Sequence, residues 1–223
     1  MDRFRVAILI PAFNEEKTIF KIVSIAKKFG QVLVVDDGSK DKTADVAKKS
    51  GAIVKKHKTN LGYDLALNTG FKKSNELNID YIITIDADGQ HNPKLLKKFI
   101  NKLVKGAMIV IGVRHKKDRI AEYIFSLYTN LTYGLKDPLC GLKAYNYKSL
   151  KQTGGFNSYE SIGTEPMLKI VSSGKAFEQI YFKVRKRNGK TRFGSSIMTN
   201  FRILRSLFIW MFKKKSYDMS KNH

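Results

Sequence analysis

Two acidic clusters follow short apolar runs in this sequence: Asp36-Asp37-Gly38-Ser39 after residues 32–35, and Asp86-Ala87-Asp88-Gly89-Gln90-His91 after residues 81–85. In the second cluster Asp86, Asp88 and Gln90 alternate, so at the end of an extended segment two carboxylates and an amide oxygen can face one hard divalent ion. Mg2+ or Mn2+ accepts such oxygen ligands and keeps positions open for diphosphate oxygens. A phosphate ligand would otherwise meet bare carboxylates, so the pattern calls for a shared cation. Each cluster alone also has a plainer reading, as a polar turn into a helix, with Asn92 as a cap and acids favoured near a helix N-terminus. Dinucleotide and P-loop sites are excluded. The chain has no G-x-G-x-x-G, and Gly189-Lys190-Thr191 lacks the glycine five residues earlier.

These clusters gain meaning from the elements that carry them. From residue 6 to 112, short apolar runs alternate with helix-period segments, the pattern of a parallel sheet with crossover helices. Strands are expected at residues 6–10, 32–35, 52–54, 81–85 and 108–111, with Pro11 ending the first. Ile19, Ile22, Val23, Ala26 and Phe29 form one helical stripe that stops at Gly30. A second helix is capped by Asn92, opens on Pro93 and buries Leu95, Leu96, Phe99, Ile100 and Leu103 before Gly106. Beyond Gly112 the spacing predicts helices over 119–133 and 165–173 and a strand over 177–184, with a break at Gly154-Gly155. In an open parallel sheet, ligands bind beyond the carboxyl ends of the strands, where both acidic clusters fall.

Composition bounds the rest. The 223 residues, 43% hydrophobic and 11% aromatic, suffice for one globular domain that buries roughly 70% of its unfolded surface. The single cysteine, Cys140, excludes an internal disulfide, no Cys/His group has structural-zinc spacing, and a reducing cytoplasm fits best. The first apolar run lacks a signal-peptide cleavage site, and residues 207–212 fall far short of the ~20 needed to cross a bilayer. There are 42 Lys and Arg against 19 Asp and Glu, a formal net charge of +23. The excess is focused: residues 181–215 hold eleven Lys or Arg and no acid.

Five segments resemble, in order and spacing, the inverting GT-A glycosyltransferases of the family 2 type. They are Pro11-Ala12-Phe13-Asn14-Glu15, Val35-Asp36-Asp37-Gly38-Ser39-Lys40-Asp41-Lys42-Thr43, Asn60-Leu61-Gly62, Asp86 to Pro93, and Ile111-Gly112-Val113-Arg114. Gln90 and two later motifs make the polyprenyl-phosphate (dolichyl-phosphate) mannosyl- and glucosyltransferases the most similar group. Those motifs are Asp137-Pro138-Leu139-Cys140-Gly141-Leu142-Lys143-Ala144 and Arg187-Asn188-Gly189-Lys190-Thr191-Arg192-Phe193-Gly194. The resemblance covers about residues 6 to 195 and implies an α/β GT-A fold, Rossmann-like, with a mainly parallel sheet flanked by helices.

The resemblance also implies a nucleotide-sugar site for GDP-mannose or UDP-glucose, lined by Pro11, Ala12, Phe13, Glu15, Val35, Asp37 and Ala87. Asp86, Asp88 and Gln90 match the ligands of a Mg2+ or Mn2+ ion and the diphosphate. Arg114, Arg187, Lys190 and Arg192 match groups that meet the donor's phosphates, with Asp88, Arg114, Arg187 and Arg192 expected to act in catalysis. Arg119, Ser126, Asp137 and Glu165 are candidates for the acceptor side, Asp137 and Glu165 as bases should the acceptor be a hydroxyl. Three positions depart from the family pattern: Asp64, Val113, and Glu122, which stands where some relatives carry an acceptor-binding arginine.

Residues 1–195 are therefore expected to form the catalytic domain and 196–223 a basic amphipathic segment. Phe201, Leu204, Leu207, Phe208 and Met211 share a helical stripe flanked by Arg202, Arg205 and Lys213, as in an interfacial helix on anionic lipid; a terminal helix packed on the core is the competing reading. The expectation is a peripheral enzyme at the cytoplasmic membrane face with a polyprenyl-phosphate acceptor. A glycan, glycolipid or protein hydroxyl is the alternative acceptor. A nucleic-acid binder would explain the charge but leaves the strand-end acids unused, so no nucleic acid is expected.

Overall fold

The computed structural model describes residues 4–156, 163–185 and 196–219. Among these residues seven strands form one sheet: β1 Val6–Ala12, β2 Gln31–Asp36, β3 Ile53–Lys56, β4 Tyr81–Thr84, β5 Ile109–Arg114, β6 Lys143–Asn146 and β7 Phe177–Phe182. Their order is β3-β2-β1-β4-β6-β5-β7. Every pair is parallel except those of β6, which runs antiparallel between β4 and β5. The crossovers are α1 Glu16–Ala26, α2 Thr43–Lys49, α3 Tyr63–Ser74 and α4 Leu96–Val104, the last entered through a 3-10 turn at Pro93–Leu95. The remaining helices are α5 Ile120–Tyr133, α6 Tyr147–Gln152, α7 Glu165–Ser172 and α8 Ser196–Met219.

Helices cover both faces, so β1 is buried along its whole length, as its unbroken apolar run requires. Alternate residues feed two cores. Ile8, Ile10, Ile19, Val23 and Phe99 meet on one face, and Leu9, Leu33, Phe71, Phe125 and Phe156 on the other. The strand order turns back at β1, so the carboxyl ends of β1 and β4 open the crevice where a ligand of such a sheet sits.

Most expected elements form, with informative differences. Pro11 does not end β1, which continues to Ala12. Leu9 carbonyl accepts from the Ile85 amide on the β4 side, and Ala12 carbonyl accepts from the Asp37 amide on the β2 side. Alternation therefore turns Pro11 toward β4, whose pairing with β1 stops at Thr84. Its missing N–H removes no ladder bond there. Strand β6 and helix α6 were not expected, because Lys143-Ala144-Tyr145-Asn146 is too short and mixed to show a period.

The stripe expected on α8 divides. Leu207 packs into the second core with Ile203 and Trp210, while Phe201, Phe208, Met211 and Phe212 stay exposed. The helix thus has one apolar face for the protein and another toward solvent. The boundary drawn at residue 195 lies outside the described residues, and α8 beyond it lies against α5 and shares the second core.

Candidate active site

Two strand-to-helix loops build the first half of the crevice. Asn14 takes a left-handed conformation (φ 52°), its amide donating to Ser39 Oγ and its Oδ1 accepting from the Lys40 amide, both at 2.8 Å. The Glu15 amide donates to Thr43 Oγ1 at 2.7 Å. These bonds lock the ends of β1 and β2 together and bring Pro11, Ala12, Glu15, Val35 and Asp37 to one edge, all buried, with Phe13 half-buried beside them.

Asp37, expected to hold nucleotide polar groups, also organises the protein. Its carboxylate accepts from the amides of Leu61 at 2.9 Å and Gly62 at 2.8 Å, and from His57 Nδ1 at 2.7 Å. His57 Nε2 lies 2.9 Å from Thr69 Oγ1 on α3. Gly38, at φ +78°, lets that loop pass, since a Cβ there would strike the backbone of Thr59.

The Asp86–His91 loop is tied to the first half through Thr18, whose hydroxyl donates to the Ala87 carbonyl at 2.6 Å. Asp86 is the more open acid, its side chain 27% exposed. Its Oδ1 accepts from the Tyr63 hydroxyl at 2.9 Å, and the His91 ring stands 3.5 Å from Oδ2. Gly141 closes the other side: a Cβ at that position would occupy the place of the Asp86 carboxylate. Asp88 is buried and accepts from the Gln90 amide at 3.0 Å, which fixes the loop's turn.

This donor set consists of oxygen atoms, with one acid open to solvent in a cradle that a single methyl would fill. It fits a hard divalent cation that keeps positions for ligand oxygens. Among the described residues no three His, Cys, Asp or Glu side chains converge into a closed protein cage. Burial, then the charge and hydrogen bond of Asp86, push the Tyr63 hydroxyl pKa well above its ordinary value, so Tyr63 stays a donor to Asp86.

The second half of the crevice is arranged differently. Arg114, at the end of β5, holds Asp137 with Nε at 2.8 Å and Nη2 at 2.9 Å, and its amide donates to the same carboxylate at 3.0 Å. Arg114 Nη2 also reaches Glu122 at 3.0 Å, and Arg119 reaches the other oxygen of Glu122 at 3.0 Å. Asp137 is wholly buried. Burial works against the guanidinium charge, but Asp137 foremost, with Cys140 and Glu122, raises the Arg114 pKa above its ordinary value. Both oxygens of Asp137 are thus engaged by Arg114, and the structure places this candidate base as the buried anchor of that guanidinium. Arg114 in turn is joined to these two acids as well as standing at the crevice.

Ser126 lies one turn beyond Glu122 on α5, its hydroxyl buried and, among the described residues, without a hydrogen-bond partner. Glu165 stands apart, at the start of α7, with Oε1 3.1 Å from Lys169 Nζ and Oε2 buried without a hydrogen-bond partner among the described residues. Arg187, Lys190 and Arg192 lie outside the described residues. The chain leaves for that segment from the site itself, because the Arg185 amide donates to the Gln90 carbonyl at 3.0 Å.

Tyr63, His57 and Lys143 join the site without having been singled out by sequence. Lys143 is buried on β6; burial lowers its pKa, against the pull of Cys140, Asp137, Asp86 and Asp64. Nothing local marks Tyr63 or His57, since their partners are 23 and 20 residues away.

An α/β sheet whose reversal point carries an Asp-x-Asp loop matches the GT-A glycosyltransferase arrangement expected from the sequence. Comparison with known proteins bears this out: the Glycosyl transferase family 2 model matches residues 7–208, and the chain belongs to that family. It is 33% identical over 227 residues, with 94% of this chain and 93% of the other covered, to an uncharacterised protein of Methanocaldococcus jannaschii. It is 31% identical over 176 residues to the UDP-N-acetylglucosamine–dolichyl-phosphate N-acetylglucosaminyltransferase of Methanococcus voltae, covering 65% of this chain and 70% of that one. A Salmonella choleraesuis undecaprenyl-phosphate 4-deoxy-4-formamido-L-arabinose transferase is 28% identical over 162 residues, 63% of this chain but 48% of that protein. Among solved structures, Mycobacterium tuberculosis glucosyl-3-phosphoglycerate synthase in complex with Mn2+, uridine diphosphate and phosphoglyceric acid superposes with a TM-score of 0.70. It shares 21% identity, covering 92% of this chain and 78% of that one, which is a likeness of fold.

Proposed function

We propose that this glycosyltransferase moves a hexose, with inversion, from a nucleotide sugar to a polyprenyl phosphate at the inner face of a membrane. The observation that carries the reading is the Asp86-Ala87-Asp88-Gly89-Gln90 loop at the end of β4, facing the nucleotide loops of β1 and β2. Asp86, Asp88 and Gln90 would hold Mg2+ or Mn2+, which neutralises charge on the departing nucleoside diphosphate. Tyr63 and Gly141 keep the Asp86 carboxylate aimed into the crevice, and Asp37 orders the loop against which the nucleoside lies. Arg187, Lys190 and Arg192, beyond the segment tied to Gln90, would add positive field over the phosphates. A phosphate acceptor is already largely ionised at neutral pH, with a second pKa of about 6, so no strong base is required.

The membrane half of the proposal draws on an apolar surface spanning two helices. On α5, Ile120, Leu127 and Leu131 are 75%, 60% and 78% exposed, and on α8, Phe201, Phe208 and Phe212 are 64%, 58% and 69% exposed. Exposed Arg202, Arg205 and Lys213 flank this surface, as anionic lipid demands. No described helix is long and apolar enough to cross a membrane. Removing α8 would also strip Trp210 and Leu207 from the core, so the test is a surface change: Leu127→Ser with Phe208→Ser. The pair is expected to release the folded protein from anionic liposomes in sedimentation; unchanged binding refutes the surface.

The reaction is tested by a panel of UDP-glucose, UDP-N-acetylglucosamine and GDP-mannose with a short polyprenyl phosphate and Mn2+ or Mg2+. Labelled sugar is expected in the organic extract, and none with EDTA. Transfer that persists in EDTA overturns the metal's role; transfer only to hydroxyl acceptors overturns the lipid phosphate. The hydroxyl reading keeps one observation in its favour, the buried oxygen of Glu165 that has no hydrogen-bond partner among the described residues. Under the lipid-phosphate reading Glu165→Gln costs far less activity than Asp88→Asn, whereas equal collapse of kcat favours the hydroxyl.

A further inference from the structure

Between Arg114 and Arg119 the protein has placed an anion of its own. The two oxygens of Glu122 each accept from one guanidinium at 3.0 Å, and its side chain is only 4% exposed beneath arginines at 15% and 18%. Two guanidinium groups converging on the oxygens of one anion is also how arginines grip a phosphate.

Three further observations point to a ligand at this notch. The buried hydroxyl of Ser126, four residues along α5 and so on the same face as Glu122, has no hydrogen-bond partner among the described residues, which leaves a buried polar atom for a ligand to satisfy. Among the described residues nothing bonds to Arg114 Nη1, which leaves that nitrogen for an incoming group. The notch also stands at the head of the exposed apolar face of α5, since Ile120 and Tyr123 flank Glu122 and are 75% and 52% exposed. A lipid lying on that face would bring its headgroup to the arginines.

The charge balance opposes it, because Arg114 and Arg119 are cancelled by Asp137 and Glu122. Within these four side chains a phosphate meets two carboxylates, and the further cation that the structure sets near Asp137, Lys143, is buried on β6. Asp137 is sealed and held by three bonds from Arg114, whereas Glu122 is held by one bond from each arginine, so Glu122 is the acid that can yield.

We propose that Glu122 is the specificity-determining residue of the acceptor subsite: it fills the notch between Arg114 and Arg119 that the acceptor phosphate must occupy, and the phosphate binds by displacing it. The inference rests on the lipid-phosphate reading and assigns a residue within it. Glu122 therefore weakens acceptor binding and filters out anions that lack an apolar tail to add binding energy. The displaced carboxylate needs no chemistry of its own, and the step is an exchange of one anion for another.

The test compares the full-length wild type with Glu122→Gln, which keeps the shape and removes the charge. In transfer assays with a short polyprenyl phosphate, the variant is expected to lower the acceptor KM about tenfold, the low end of one charge-assisted hydrogen bond, with the donor KM unchanged. In calorimetric titration with inorganic phosphate, the variant is expected to bind about tenfold more tightly, and the gain to vanish when Arg119→Gln is added. An unchanged or raised acceptor KM, with unchanged phosphate affinity, overturns the proposal while the parent reading stands. If the wild type transfers nothing to polyprenyl phosphate yet Glu122→Gln still tightens phosphate binding, the parent reading fails and the notch survives. Should the Gln variant not fold, Glu122→Asp, too short to reach both arginines, carries the same comparison with a smaller shift in the same direction.

Discussion

The same sheet edge carries two pairs of acids treated in opposite ways. Asp137 and Glu122, at the end of β5, are met by guanidinium groups and sealed. Asp86, at the end of β4, meets a neutral tyrosine hydroxyl and an imidazole at 3.5 Å, and keeps 27% of its side chain in solvent. A carboxylate with a built-in cation contributes to the fold, because removing the partner strands a buried charge. A carboxylate in a cradle that offers no guanidinium among the described residues is available to a cation from outside. Burial alone would not separate the two roles, since Asp88 in the open pair and Glu122 in the closed pair are both buried.

The largest expected effect falls on the open pair. Asp88→Asn should lower kcat by about a thousandfold or more in the donor assay, the scale of losing a group that stabilises leaving-group charge, while urea unfolding stays near wild type. On the closed pair the expectation reverses. Arg114→Met leaves Asp137 and Glu122 buried without their main partner and should cost about 3–5 kcal/mol in urea unfolding. A variant of Arg114 that loses activity at full stability, or one of Asp88 that unfolds, would erase the distinction.

A finer change tests whether the open pair is held in place. Gly141→Ala puts a methyl where the Asp86 carboxylate sits, and the backbone there is fastened by the bond from Thr84 Oγ1 to the Gly141 carbonyl at 2.7 Å. The carboxylate must therefore move rather than the loop. A displacement of about 1 Å at a reacting site costs up to 10²-fold, so a loss of about ten- to a hundredfold in kcat with a raised metal requirement is expected. Wild-type kinetics would show the cradle to be idle.

The open pair was legible in the sequence because its signal is local: Asp86, Asp88 and Gln90 lie within one turn, and the apolar run before them fixes their place at a strand end. The closed pair was not. Arg114, Glu122 and Asp137 were each noted, yet their mutual neutralisation depends on β6 entering antiparallel between β4 and β5, and β6 is four residues with no readable period. The exposed face of α5 was missed for a related reason. A helix with apolar residues on two faces has a weak period, and only packing separates Phe125, wholly buried, from Leu127, 60% exposed. Tyr63 and His57 were missed because their partners are set by the α3 crossover.

Cys140 offers a smaller measurement that reads the closed pair directly. The thiol is fully buried below Asp137, and burial first, then the Asp137 charge, push its pKa up to about 12 from an ordinary 9.0. Its proton is held more tightly in the folded chain, so this contribution to stability is complete below pH 9 and declines as pH rises from about 9 toward 12. At pH 8 the folded protein should resist alkylation by iodoacetamide, because burial denies access and little thiolate forms. Asp88→Asn should resist equally, since the open pair lies outside this seal. Arg114→Met should label faster, by roughly the factor by which the β5–α5 end opens more often. If the two variants label alike, the ends of β4 and β5 open together, and the division between a catalytic acid pair and a structural one fails as a statement about the energetics of this fold.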